Sequence, residues 1–160
     1  MKKFIKKNWH YILALIIPVL LMMIHAFRYK LWFFGNGSIL VGDSMVQILP
    51  VYYELWNKVH SGASLSYTWN IGGGLDFYSL LGYVASPFTL IMLCVPKSML
   101  EMALESIIVC KWALSSLTVA FFFYNTKFNE LKERKKIVSL FLGLAFSLSN
   151  GLINYMGYPQ

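Results

Sequence analysis

Charge is scarce in this 160-residue chain, and acidic charge scarcest of all: charged residues make up 13%, and only seven of them are Asp or Glu. Ordinary soluble domains carry about 25% charge, so a freely soluble globule is excluded. With 58% hydrophobic and 17% aromatic residues, the chain reads as a membrane protein. Cysteine is limited to Cys94 and Cys110, both inside apolar runs, which leaves neither a disulfide framework nor a cysteine metal site and predicts two inert thiols. No His-x-x-x-His or comparable pair supports zinc, and His25 and His60 read as interfacial or core residues. Internal repeats are absent. So is an Ala-x-Ala-like cleavage site after the first apolar run; although Lys2, Lys3, Lys6 and Lys7 resemble the basic head of a signal peptide, an uncleaved anchor is expected.

What the chain does have is long apolar stretches. About 20 such residues, at about 1.5 Å each, cross a hydrocarbon core of about 30 Å. The first span is expected over residues 9–27, flanked by Trp9 and Tyr29 as interfacial aromatics. A second is expected over 102–124 and a third over 137–155. Residues 125–136 carry Lys127, Lys132, Arg134, Lys135 and Lys136, which with the four N-terminal lysines account for nine of the fourteen Lys and Arg. The positive-inside rule puts both clusters in the cytoplasm and residues 28–101 outside. The net charge of +7 is then accounted for by topology and anionic lipid, and needs no nucleic acid. Residues 80–95 are mostly apolar but short and interrupted by Gly82 and Pro87; a crossing there would reverse the next helix and expose the basic loop, so an interfacial or re-entrant helix is expected. The fold class is all-α and polytopic. The chain stops as a helix would emerge into another loop, which suggests the N-terminal piece of a longer protein, or a subunit leaning on partner membrane helices.

Within the long loop, Asp43 is placed to cap a helix over about 44–60, where Val46, Leu49, Tyr53, Trp56 and His60 recur at spacings of three and four and would lay one apolar face on the membrane. Pro50 implies a kink or a first-turn position, and Gly62 a stop. Gly72-Gly73-Gly74 forbids regular structure and lets backbone approach a neighbour or ligand.

The order Gly42-Asp43, Gln47-Ile-Leu-Pro50, Trp69-Asn70, Gly72-Gly73-Gly74-Leu75 and Tyr83-Val-Ala-Ser86-Pro87-Phe88 resembles the start of the bacterial YfhO-like membrane proteins, which are related to the GT-C glycosyltransferases. The resemblance implies transfer of a sugar from a polyprenyl-phosphate carrier to an extracytoplasmic acceptor, a teichoic acid or other cell-wall glycopolymer of Gram-positive bacteria. It further implies that the carboxylate of the first extracytoplasmic loop, here Asp43, serves as general base or as ligand of a divalent metal. The rival class is a non-enzymatic transporter or flippase subunit, in which Asp43 and Lys111 would line a path.

Each candidate has a plainer alternative. Asp43 would otherwise be a helix cap worth about 1 kcal/mol. Lys111, near the middle of the second span, costs about 2.5–3.5 kcal/mol on insertion scales and should face protein, a wet cavity or a lipid phosphate; an ion pair with Glu105 is the alternative. Glu101 and Glu105 share one helix face and suit a helix N-terminus. The triple glycine reads as loop packing or as a phosphate cradle without the Lys-Ser/Thr of a P-loop. Asp76 reads as a cap, a substrate contact, or a partner of Asp43 on a metal.

Overall fold

A computed structural model describes residues 2–126 and 134–149. Two of its helices have the length and apolar content to cross a bilayer, over Lys6–Tyr29 and Lys97–Asn125. The first lies in α1 (Lys2–Tyr29), kinked at Asn8. Only 22% of its apolar window is buried, and Leu20, Ile24 and Phe27 are 53%, 66% and 70% exposed. A soluble core helix would hide those side chains; a lipid-facing one leaves them out.

The second span is built on α5 (Leu100–Asn125), which serves two cores. Its C-terminal part packs on α1 and on α6 (Lys135–Ser147). Small residues make that contact possible: Ser139, Gly143 and Ser147 of α6 are buried at intervals of four, and a Cβ on Gly143 would lie 2.5 Å from Ser116 O and 3.0 Å from Ala120 Cβ. Helices in lipid lack a hydrophobic drive toward each other and gain instead from such close approach. At the basic end, His10 stacks between Tyr11 and Tyr124, and Lys136 Nζ donates to Lys7 O at 2.8 Å.

The expected third helix is shorter than its sequence suggests. It ends at Ser147, where the Trp112 indole N–H takes the Ser147 carbonyl and Leu148 N–H turns back to Leu144 O. Ser149 is non-helical, and the rest of the stretch to 155 lies outside the described residues, as does most of the basic loop.

Leu100, Leu104, Ile107 and Ile108, on the N-terminal part of α5, form the floor of the loop region. Over them packs α2 (Leu49–Ser61), entered through a π-turn over Ser44–Ile48. The expected apolar face is corrected here. Of the expected face, Leu49 is buried and Tyr53 and Trp56 pack partly buried against the core, but Val46 is 68% exposed and His60 is exposed, while Ile48, Val51, Tyr52 and Leu55, outside that face, enter the core. The π-turn explains the shift: Leu49 N–H reaches Ser44 O, five residues back, and this wider turn changes the phase of the face relative to an unbroken α-helix. The apolar face of α2 is thus covered by protein, not left for the membrane. Gly62, left-handed at φ 69°, stops the helix as expected.

Strands β1 (Tyr67–Thr68) and β2 (Leu75–Asp76) pair antiparallel, a small departure from the all-α expectation, with the triple glycine in the connecting loop. The single helix expected over 80–95 is also corrected. It is two pieces, α3 (Leu81–Val84) and α4 (Thr89–Cys94), separated at Ser86-Pro87 because proline disfavours the helical conformation for the residue before it. The longer piece has six residues, about 9 Å, too short to cross a bilayer.

Candidate functional site

Asp43 follows Gly42, whose φ of 56° turns the chain sharply into the π-turn. The first turn is already satisfied by backbone: Ser44 N–H bonds Val41 O, and Met45 and Val46 N–H bond Gly42 O. Asp43 itself has helical dihedrals (φ −63°, ψ −27°) instead of the extended ones of a capping residue, and its carboxylate accepts no capping bond. The capping role expected for it is therefore absent. Among the described residues this carboxylate has neither hydrogen bond nor ion pair; it is half-buried beside exposed Val41 and Val46.

Lys111 is half-buried on α5, with its ammonium 5.4 Å from the centroid of the Phe88 ring. The Glu105 pairing does not form. Glu105, 3% exposed, accepts from Ser38 Oγ (2.7 Å) and Ile39 N–H (2.8 Å), latching the start of the loop onto α5. Asp76 accepts from Tyr78 and Ser79 N–H at 3.2 Å each and so caps the short turn Phe77–Leu80. Gly72, Gly73 and Gly74 all have positive φ (61°, 79°, 111°), and a Cβ on Gly74 would collide with Tyr67 and Trp69. Hairpin geometry alone thus demands glycine at Gly74. No hydrogen bond, ion pair or ring contact joins Asp43, Lys111, Asp76 and these glycines to one another, and no three His, Cys, Asp or Glu residues among those described converge on a metal position.

The most densely bonded polar cluster was only faintly signalled by the sequence. Glu54 and Lys58, four apart on α2, are 5% and 8% exposed. Glu54 accepts from Thr68 Oγ1 (2.5 Å) and Asn70 Nδ2 (2.9 Å), with Lys58 Nζ at 3.7 Å. Lys58 donates to Ser64 O and Tyr67 O and lies over the Phe77 ring. Burial pushes the Glu54 carboxyl upward, but the Thr68 and Asn70 hydrogen bonds and the Lys58 charge outweigh it and hold the group below the usual carboxylate range. The i, i+4 Glu-Lys spacing was the available signal; periodicity could not show that the hairpin would bury it.

Two cavities flank the N-terminal turns of α5. One, about 190 Å³, is polar and lined by residues that include Trp32, Asn36, Ser98, Glu101 and Glu105. The other, about 330 Å³, is almost wholly apolar and runs between α4 and α5 from Met99 to Cys110.

The profile of the bacterial membrane protein YfhO family matches residues 14–156. The chain belongs to that family. The match takes in the second candidate span whole and the first from Ala14 onward, the whole loop with Asp43, the Glu54–Lys58 cluster and the triple glycine, and Lys111 on α5. Membership of this family together with two lipid-exposed apolar helices makes it a membrane protein. No curated protein and no solved structure gives a match, so no YfhO-family relative supplies a site by comparison.

Proposed function

We propose that this YfhO-family chain is part of a GT-C-type membrane glycosyltransferase that moves a sugar from a polyprenyl-phosphate carrier to an extracytoplasmic cell-wall glycopolymer such as teichoic acid. In this reading residues 28–101 face outward and the basic segments face the cytoplasm. The observation that carries it is the state of Asp43: a half-buried carboxylate, next to a left-handed glycine, with no structural bond to make. An acceptor hydroxyl must lose its proton as the new glycosidic bond forms, and an unengaged carboxylate within hydrogen-bond reach takes it as general base. A metal role for Asp43 lacks companion ligands among the described residues, and no step is routed through one. Lys111, a cation within the span that has no acidic partner among the described residues, supplies the positive charge that a lipid phosphate needs.

The test is Asp43→Asn in the intact membrane-embedded protein. Because the carboxylate caps nothing, the variant should fold and insert like the parent. An amide cannot accept a proton at neutral pH, so glycosyl transfer should fall by about 10²- to 10⁴-fold. Undiminished transfer in that variant excludes Asp43 as the base.

A further inference from the structure

The two cavities beside α5 adjoin in a way that suggests one ligand. Met102 lines both; Trp32 lines the polar one and Phe33 the apolar one, and these two rings lie 4.2 Å apart. The polar cavity sits by the first turns of the helix and the apolar groove runs along it toward Phe88 and Cys110. A polar chamber next to an apolar channel matches an amphiphile with its head at the water boundary and its chain in the membrane.

The lining selects the head. Glu101 presents a carboxylate beside that of Glu105, which Ser38 and Ile39 already hold, so a phosphate there would be repelled. Lys30 and Lys97 lie nearby in sequence but are exposed and line neither cavity. Carboxylates, the Asn36 amide and the Ser98 hydroxyl instead accept and donate hydrogen bonds as a set of hydroxyl groups requires. Trp32 adds a flat apolar wall of the kind a sugar ring can face, and its indole N–H is buried without a partner. A chamber of about 190 Å³ has room for one sugar ring. We infer that this composite cavity binds a glycolipid with an uncharged sugar headgroup, the sugar between Trp32 and Glu101 and one hydrocarbon chain along Val95, Ala103 and Ile107. The binding stands on the cavities alone; the step to a glycolipid as acceptor rests on the glycosyltransferase reading.

Binding is measured on the purified protein by native mass spectrometry with three lipids of identical acyl chains: monoglucosyl diacylglycerol, phosphatidylglycerol and phosphatidylethanolamine. The glycolipid should be retained at least tenfold better than either phospholipid. Asn36→Ala with Glu101→Gln should remove that preference, and Ala103→Trp should lower retention of the glycolipid by blocking the groove. Equal retention of phosphatidylglycerol would show a non-selective lipid surface, and stronger retention of phosphatidylethanolamine a cation site; either overturns the inference, as does an unchanged preference in the double variant. Loss of transfer in Asp43→Asn with glycolipid binding retained separates the two proposals, because the first reads chemistry and the second occupancy.

Discussion

Removing the Glu54 carboxylate should unlock the hairpin from α2 without dissolving the helices. In Glu54→Ala, Thr68 and Asn70 lose their acceptor and Lys58 loses its counter-charge, while Lys58 keeps its bonds to Ser64 O and Tyr67 O. Breaking a buried pair by deleting one partner costs about 3–5 kcal/mol; the two carbonyl bonds that remain on Lys58 place the expected loss at the lower end, about 3 kcal/mol. At about 1.4 kcal/mol per tenfold, opening of the hairpin should become about 10²-fold more frequent. Hydrogen exchange of the backbone amides in residues 66–77 reads this directly, with Phe77 N–H, which bonds Ser66 O at 3.0 Å, as the reporter. Exchange within α5 should stay unchanged. The pH dependence has a fixed sign. The folded pKa of Glu54 lies below its ordinary 4.5, so the stabilisation is complete above that value and is lost as pH falls through the lower, folded pKa. Protection of the hairpin should therefore be flat from pH 6 to about 5 and decline in more acidic solution. Wild-type protection in Glu54→Ala, or protection that improves on acidification, would refute the assignment of this cluster as the tie.

Two further outcomes test the membrane part. With Cys94 and Cys110 replaced by Ser, a cysteine at Ser61 should be labelled by an impermeant maleimide on intact cells and one at Arg134 should not; equal labelling of both would overturn the outward placement of residues 28–101. Gly143→Val places a side chain against Ser116 O and Ala120 Cβ and should lower the stability of the detergent-solubilised protein by about 1–3 kcal/mol, read as a reduced thermal midpoint, whereas an unchanged midpoint would mean that α5 and α6 are free to separate there.

The first two spans were legible because hydropathy acts over about 20 residues, and local irregularity barely dilutes it. α5 was expected over 102–124 and runs Leu100–Asn125. The loop was legible only at residues whose constraint is local: Gly62 as a stop, Gly72 to Gly74 as irregular backbone, Asp76 as a cap. Where the outcome depended on contacts distant in sequence, reading failed. The π-turn that re-phases α2 precedes it by only a few residues, yet the burial of Leu55 and the exposure of Val46 depend on where α5 lies. Glu105 looked like a charge favouring a helix N-terminus because its partners, Ser38 Oγ and Ile39 N–H, are 66 or more residues away. Asp43 shows the converse: its cap position was legible, but the satisfaction of the first turn by Val41 and Gly42 carbonyls was not.

Lys111 lies at the seam between the two cores of α5, three residues after Ile108 of the loop core and two before buried Ala113 in the C-terminal part of the helix. A leucine there would serve both cores without penalty. A lysine at mid-span instead costs about 2.5–3.5 kcal/mol, and the Phe88 ring returns about 0.5–2 kcal/mol of that as a cation–π contact. Among the described residues no carboxylate makes up the difference, since the nearest one along the helix, Glu105, is committed to the loop. Packing among the described residues thus gives no reason for a cation at this position. In the glycosyltransferase reading proposed above, a ligand phosphate would supply that reason, and it would place the charge-bearing part of a lipid carrier against Phe88, inside the Tyr83-to-Phe88 segment between α3 and α4.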